Sequence, residues 1–389
     1  MTRYRLQSIL FVFVAFMLGC NEYMIVGVLP DIASEYHSSL ASLGYLVTMF
    51  ALIYAFFTPV VTSLGNRWKR HKVLLTLMVV FFIGNTWTAM ATNYTSLLLS
   101  RMLTATVAGA IISIVLVLAN FIAPPEKRAS LVSWVFAGFS LASVVGVPLG
   151  TMISQKLTWH DSFWIITVLT IAVFAALLWL VPKDTPQVQG RLSSQFSLFK
   201  DKRVLAGAMF VVTVCAADYT MYTYIRPLIS DLMGFNDTWL NWLLLMMGVF
   251  FLIGNKFGGF LADNGGVHRL PYIYILMTVL MFLMRPSFSY KWVAISVVAI
   301  LCVTFASYGA STQLMFLEIA EKEYPQSLDL ASSINSIFAN IGISLGSLAA
   351  AETVRFSSLN NVGNVGAVFG IIATVLIVVV SKNFEGMRH

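Results

Sequence analysis

The stretch Gly146-Val147-Pro148-Leu149-Gly150 recurs about 197 residues later as Gly342-Ile343-Ser344-Leu345-Gly346. A second pair of segments keeps nearly the same spacing, since Leu64-Gly65-Asn66-Arg67 matches Leu261-Ala262-Asp263-Asn264. All four segments lie in or beside long apolar runs. The repeat therefore predicts two copies of one set of apolar helices.

The composition excludes a soluble globular protein. Hydrophobic residues make up 58% of the 389 residues, charged residues make up 11%, and the mean hydropathy is +0.83. Soluble domains carry about a quarter charged residues, so a soluble fold would need an implausibly large apolar core. The composition predicts an integral membrane protein.

Apolar runs of about 20 residues, the length of helix that crosses ~30 Å of hydrocarbon, recur along the chain. Each is predicted to be a helix, because lipid cannot satisfy open backbone groups and the runs lack the alternation of barrel strands. The twelve predicted spans are 7–29, 41–64, 73–92, 96–122, 131–153, 162–182, 204–225, 239–262, 271–288, 292–317, 327–350 and 363–382.

A polar, basic stretch at 183–203 separates six spans from six. We predict an N-terminal bundle at 1–182, a cytoplasmic linker at 183–203 and a C-terminal bundle at 204–389. The predicted fold is an all-α integral membrane protein with twelve transmembrane helices in two pseudo-symmetric six-helix bundles.

The loops predict the orientation. With the N-terminus inside, most of the 24 Lys and Arg residues fall in inner loops, as the positive-inside rule requires. Both termini are then cytoplasmic, in the inner or plasma membrane. The net charge of +7 reflects this topology, and because its basic residues are scattered over short loops we expect no nucleic-acid partner.

The three Cys fall within spans without metal-ligand spacing, so we expect no disulfide framework, metal or cofactor.

Three ionisable residues inside the predicted spans are candidates for chemistry, because such groups are costly in a membrane and usually face protein or water. Glu22 lies roughly 10 Å from the outer end of the first span, and Arg101 roughly 8 Å from that of the fourth. Asp218 lies at a matching depth in the seventh span. We predict that Glu22 loads and releases a proton, with Asp218 as a second site and Arg101 as a group that tunes or replaces the proton. The alternatives are structural hydrogen bonds for the acids, and snorkelling of Arg101 to the outer interface.

Other polar side chains inside the apolar runs either line a cavity or hydrogen-bond between helices. Those predicted to line a substrate cavity are Tyr54, Asn85, Tyr219, Tyr222, Tyr308, Asn335 and Asn340.

Several stretches together resemble the major facilitator superfamily over the whole chain. Thr62–Lys72 resembles the family's loop between helices two and three, although Asn66 stands where the family usually has Asp. Its second copy, Gly259–Asp263, keeps the acid. Ser100–Gly109 resembles the fourth-helix Arg motif.

Two more stretches narrow the resemblance. Gly138–Gly150 resembles the fifth-helix motif associated with exporters, and Gly19–Pro30 is similar to arabinose-efflux-like and purine-efflux-like permeases. The resemblance is thus to the bacterial drug and sugar:proton antiporters. It implies conformational roles for Arg67, Arg70, Asp263, Gly146, Pro148 and Gly150.

These features predict a monomeric secondary active transporter in the lipid bilayer. It would export a small molecule, such as a drug, sugar or nucleoside, in exchange for protons. No enzymatic activity is expected, because the five His are scattered through loops and the tail and form no metal or nucleophile constellation. Direct ATP drive is not expected, because no Gly-x4-Gly-Lys-Ser/Thr loop is present. The alternatives are a proton-coupled importer and a non-transporting receptor, for which an added soluble domain or a long signalling tail is expected.

Overall fold

The computed structural model describes residues 3–65, 68–124, 127–183, 196–324 and 327–385. Within these ranges, 12 helical spans are long and apolar enough to cross a membrane. Large apolar side chains such as Phe56 and Trp179 are exposed on their outer faces, which is expected where lipid replaces water as the solvent. The number and order of the predicted spans are confirmed.

Each of the first six helices begins slightly before its predicted apolar run. The first, second and fifth also end beyond it, whereas the third and sixth end slightly earlier than predicted. Polar caps begin two of them: Asn93 accepts a hydrogen bond from the Ser96 amide at 2.9 Å, and Thr158 forms a capping box with Asp161. The six helices are α1 (Arg3–Glu35), α2 (Leu40–Gly65), α3 (Arg70–Ala89), α4 (Tyr94–Ile122), α5 (Arg128–Lys156) and α6 (Trp159–Leu180).

The second half opens with a short 3₁₀ helix, Phe196–Lys200, and continues with seven helices. A short α-helical turn, Ile225–Pro227, and a π turn, Leu228–Leu232, follow the first of the seven. The helices are α7 (Lys202–Tyr222), α8 (Asp237–Asp263), α9 (Leu270–Ser287), α10 (Lys291–Ala306), α11 (Gly309–Glu323), α12 (Leu328–Phe356) and α13 (Val362–Glu385).

The tenth span was predicted as one helix, 292–317, and this is wrong in one respect: it is broken into α10 and α11 at Ser307 and Tyr308. Two side-chain hydroxyl groups donate hydrogen bonds to the Thr304 carbonyl near the end of α10. The Ser307 hydroxyl donates to the Thr304 carbonyl at 2.8 Å, and the Tyr274 hydroxyl donates to the same oxygen at 3.3 Å. Such side-chain bonds compete with the helical ladder.

The chain forms two compact units. One comprises Met1–Ser39 and Met49–Gly190, and the other comprises Leu40–Thr48 and Arg191–His389. The first turns of α2 therefore group with the second unit. There the Tyr45 hydroxyl donates to Glu352, and the Tyr224 hydroxyl donates to the Leu40 carbonyl at 3.2 Å.

The repeated glycines lie in close helix contacts in both units. In the first unit, a Cβ atom on Gly150 of α5 would lie 2.9 Å from the Met24 carbonyl oxygen of α1. In the second unit, a Cβ on Gly346 of α12 would lie against the Ala216 carbonyl oxygen of α7. Small residues let the backbones approach this closely, so the repeat read in the sequence is also a repeat of packing.

Candidate functional site

Arg101 is the largest charged side chain buried in the first unit, with 1% of its surface exposed. Its Nη1 donates to the Asn21 side-chain oxygen at 2.8 Å, and its Nη2 donates to the Asn21 backbone oxygen at 3.1 Å. The Phe50 ring centroid lies 4.3 Å from the guanidinium carbon, and that of Phe163 lies 5.4 Å away. Aromatic faces attract a desolvated cation, so α2 and α6 help to hold a charge that is anchored on α1. Arg101 therefore does not snorkel to the outer interface.

Glu22 follows Asn21 on α1 and is partly exposed. It forms neither a hydrogen bond nor an ion pair with a described residue, although Arg101 acts on it electrostatically. Successive helical residues project about 100° apart, which explains why a guanidinium held by Asn21 does not meet the next side chain. The alternative of a fixed structural hydrogen bond at Glu22 has no partner in the described part of the chain.

Asp218 lies on α7 in the second unit, beside the break in the tenth span. Its Oδ1 atom is buried without a hydrogen-bond partner among the described residues. The groups on which its charge acts are Cys215, Tyr274, Cys302 and Tyr308. All of these are neutral thiols and phenols at physiological pH. Asp218 thus lies in a polar cluster that carries no cation.

The residues predicted to line a cavity separate into two groups. Tyr54, Asn85, Tyr219, Tyr222 and Asn340 are buried, whereas Tyr308 and Asn335 are partly exposed. The Tyr308 hydroxyl lies 3.2 Å from the Cys215 sulfur, so the structure brings it to the Asp218 cluster. The rings of Tyr219 and Tyr222 lie 5.5 Å apart on the same helix.

The amides among them bond to nearby protein groups. Asn335 of α12 donates to the Gly309 carbonyl and to the Gln313 side chain, both at 3.1 Å, and accepts from Thr312 at 3.1 Å. It therefore ties α12 to α11, as the interhelical alternative supposed. Asn85 donates to the Phe81 carbonyl at 2.9 Å within its own helix, and its side-chain oxygen has no partner in the described chain.

The residues expected to act in conformational change lie at helix ends and in the α1–α5 contact. Arg70 begins α3, and Asp263 ends α8 with an exposed side chain. A Cβ on Gly146 would lie 2.9 Å from Tyr23 Cβ. Pro148 lies within α5 between Gly146 and Gly150. Arg67 lies outside the described residues, as do residues 184–195 of the predicted linker.

Sequence reasoning missed a polar cluster at the end of α1. The Glu35 carboxylate accepts from Trp159 Nε1 at 2.7 Å and lies 3.0 Å from His160 Nε2. His160 Nδ1 lies 3.0 Å from the Ala89 carbonyl oxygen. Nearby, Tyr36 donates to the Ala91 carbonyl at 2.7 Å, and burial together with the Glu35 charge raises the pKa of Tyr36 to about 12. The signal in the sequence was the pairing of an acid at a span end with an aromatic-His pair at a span start.

A second missed cluster begins α7. Asp201 caps this helix by accepting from the Arg203 amide at 2.8 Å, and it also binds the Arg203 guanidinium at 2.5 Å. Arg203 bonds Glu323 at the end of α11 at 2.6 and 2.7 Å. The hydrogen bonds from Arg203 lower the pKa of Asp201 despite partial burial. This network joins the start of α7 to the end of the tenth span.

Comparison with known proteins now decides the family. The model of the Major Facilitator Superfamily matches residues 11–347. The chain belongs to this superfamily. The MFS-type transporter YtbD of Bacillus subtilis (strain 168), described as uncharacterized, is 30% identical over 367 residues, which are 93% of this chain and 92% of YtbD. YbcL of the same organism, also described as an uncharacterized MFS-type transporter, is 29% identical over 366 residues, covering 94% of this chain and 93% of YbcL.

A solved structure of the Major Facilitator Superfamily confirms the fold. The bacterial homolog of the human lysosomal transporter Spinster, in an inward-facing and unoccupied conformation, matches with a TM-score of 0.82 over 99% of this chain and 98% of that chain. Its sequence identity of 15% supports the fold alone. The predicted twelve-helix fold and the resemblance to this superfamily are both confirmed, and the chain is a multi-pass membrane transporter of small molecules.

Proposed function

We propose that this transporter exchanges protons for an exported small molecule, and that Glu22 carries the proton. The observation that carries the proposal is the state of the Glu22 carboxylate. It is partly exposed, it has no hydrogen bond or ion pair with a described residue, and it lies within electrostatic reach of buried Arg101. A coupling carboxylate must be able to gain and lose a proton, and a nearby cation makes its charged form tolerable inside the membrane.

Asp218 is the second proposed proton site. Support comes from its unpartnered buried oxygen and from its position beside the break in the tenth span. In secondary transporters, broken helices often accompany binding sites because they free backbone groups for other partners. Each unit by itself carries polar side chains that we propose as contacts for a drug, sugar or nucleoside. We propose Tyr54 and Asn85 in the first unit, and the set Tyr219, Tyr222, Tyr308, Asn335 and Asn340 in the second.

Export rather than import is proposed from the glycine motif of α5. That motif resembles the exporters of the family, and its glycines pack directly on α1, the helix that carries Glu22. A tight contact between these helices limits proton leakage while Glu22 changes state. The excess of Lys and Arg in the inner loops supports an inner- or plasma-membrane location with both termini in the cytoplasm.

The test uses purified protein in liposomes loaded with a pH-sensitive dye. Sugars, nucleosides and lipophilic cations are screened for substrate-driven proton flux, in both orientations of the substrate gradient. Flux with one compound is expected for the wild type and is lost in Glu22→Gln. Asp218→Asn is assayed alongside. Glu318→Gln is the matched control, because Glu318 is an exposed carboxylate that pairs with Lys322 at 2.7 Å near the end of α11.

The outcomes separate the possible functions. Flux that survives Glu22→Gln but not Asp218→Asn moves the proton site to the second unit. Proton movement in the same direction as the substrate identifies an importer. Substrate binding without any proton flux overturns proton coupling.

A further inference from the structure

The buried Arg101 charge is bound by two neutral acceptors of a single residue. Both hydrogen bonds of its guanidinium end on Asn21, one on the side-chain oxygen at 2.8 Å and one on the backbone oxygen at 3.1 Å. Asn21 is fully buried. A buried cation normally has an anionic partner, since neutral acceptors only partly replace the lost hydration. Here the carboxylate next in sequence, Glu22, is not that partner.

The hydrogen bonding of this pair is incomplete. Arg101 Nε and Asn21 Nδ2 are both buried, and neither has a partner among the described residues. A buried donor without an acceptor costs about 1–3 kcal/mol, and buried polar groups in native proteins are nearly always satisfied. The contact therefore holds the Arg101 charge at a cost in unmade hydrogen bonds, which a role beyond packing would explain.

The electrostatics around Glu22 indicate that role. Among the described residues, Arg101 of α4 is the one charged group that acts on Glu22. A direct ion pair would favour the charged carboxylate strongly, which would oppose proton loading. A guanidinium held on Asn21, the residue before Glu22, acts on Glu22 electrostatically. It makes no hydrogen bond to the carboxylate oxygens of Glu22.

We infer that Asn21 is a positioning residue for proton exchange: it holds the Arg101 guanidinium away from the Glu22 carboxylate, so that this carboxylate stays free to gain and lose a proton. The inference rests on the proposed role of Glu22 as proton carrier. Asn21 touches neither substrate nor proton in this account and acts only through Arg101.

The test measures the protonation of Glu22 directly, without a known substrate. Infrared difference spectra of the purified protein are recorded over a pH titration, and the carboxylic C=O band that disappears in Glu22→Gln is assigned to Glu22. Asn21→Leu removes the side-chain acceptor and releases Arg101 toward Glu22. We expect the pH midpoint of the band to fall by about one unit or more, which is a tenfold or larger change in the ratio of protonated to ionised Glu22 at a given pH.

Two further variants separate positioning from structural damage. Asn21→Asp keeps an acceptor for Arg101 and neutralises its charge, so the midpoint is expected to move in the opposite direction, toward higher pH. Thr170→Val removes another fully buried polar group of the same unit, a hydroxyl that donates to the Ile166 carbonyl within α6, and it should leave the midpoint unchanged. Equal midpoints in the wild type and in Asn21→Leu would overturn the inference.

The transport assay distinguishes this inference from the proposed function. An Asn21-dependent midpoint in a protein without proton flux would leave the positioning role standing and remove the proposed function. Proton flux that depends on Glu22, combined with a midpoint that ignores Asn21, would do the reverse. A folded Asn21→Leu protein that loses flux equally at every pH, with its midpoint unmoved, shows that Asn21 is only structural.

Discussion

Two adjacent glycines of α8 offer a matched pair of substitutions. A Cβ on Gly258 would lie against the Ser307 carbonyl oxygen, 2.9 Å from its carbonyl carbon and 3.0 Å from its Cα, at the break in the tenth span. A Cβ on Gly259 would have nothing within 4 Å. Both residues lie inside the same helix, so Gly→Ala gives each the same gain in helix propensity, about 0.5–1 kcal/mol.

The difference between Gly258→Ala and Gly259→Ala therefore isolates the steric cost. Ordinary contacts of a Cβ begin at 3.4 Å. The new methyl group must therefore push α8 and the tenth span apart by roughly half an ångström to clear the Ser307 carbonyl carbon, and by more to clear its oxygen. Overpacking of this kind costs about 1–3 kcal/mol. We expect Gly259→Ala to be as stable as the wild type or slightly more stable, and Gly258→Ala to be less stable than both.

The assay is thermal unfolding of the detergent-purified proteins, followed by tryptophan fluorescence at one scan rate. Each kcal/mol corresponds to about 2–4 °C for a unit of roughly 200 residues. The melting temperature of Gly258→Ala should thus lie several degrees below that of Gly259→Ala. Equal melting temperatures, or the reverse order, would refute the close approach of α8 to the broken tenth span.

Substitutions at three other positions test further contacts, each by the same unfolding assay. Gly27→Ala places a Cβ against the Val147 carbonyl of α5 and should lower stability by about 1–3 kcal/mol; an unchanged melting temperature would contradict the α1–α5 contact. Asp201→Ala should cost about 1 kcal/mol more than Asp201→Asn, because Asn can still cap the helix. The pKa of Asp201 is lowered in the folded protein. The stability that the ionised Asp201 contributes is therefore complete above the ordinary carboxyl pKa and is lost as the pH falls through the lowered pKa. The wild type should lose its advantage over Asp201→Asn only in acid. His160→Phe removes the contacts of His160 with Glu35 and Ala89 and should cost about 0.5–1.5 kcal/mol, because the Glu35 side chain is exposed and keeps its bond from Trp159. Full stability of this variant would show that the two contacts contribute nothing.

Hydropathy predicted the helices well because the thickness of the bilayer fixes their length. The ends were less accurate: the first span was predicted at 7–29, whereas α1 runs from Arg3 to Glu35. The extra turns are polar and lie beyond the hydrocarbon, so their residues do not register as apolar. The break at Ser307 and Tyr308 was missed for a related reason, since a break inside an apolar run leaves its hydropathy unchanged.

The contacts of the candidate site could not be predicted from the sequence. Depth could be counted along each helix, and it placed Glu22 and Arg101 at the same level. Successive side chains of α1 point about 100° apart around the helix axis. The side chain that meets Arg101 therefore depends on which face of α1 packs on α5. The hydrogen-bond partner of Arg101 is Asn21. Asn21 is uncharged, so a search of the sequence for ionisable residues in the spans does not find it.

The two units share their packing but not their electrostatics, and this difference bears on which acid exchanges protons. Both units pack a glycine-bearing helix tightly on the helix that carries the acid. Glu22 has the buried Arg101 within electrostatic reach, whereas the neighbours of Asp218 among the described residues are thiols and phenols. A carboxyl group that alternates between charged and neutral forms inside a membrane needs a counter-charge for its charged form, because an unpaired buried charge is costly. The two copies thus share a scaffold while one of them carries the cation, and that copy is the better candidate for proton exchange.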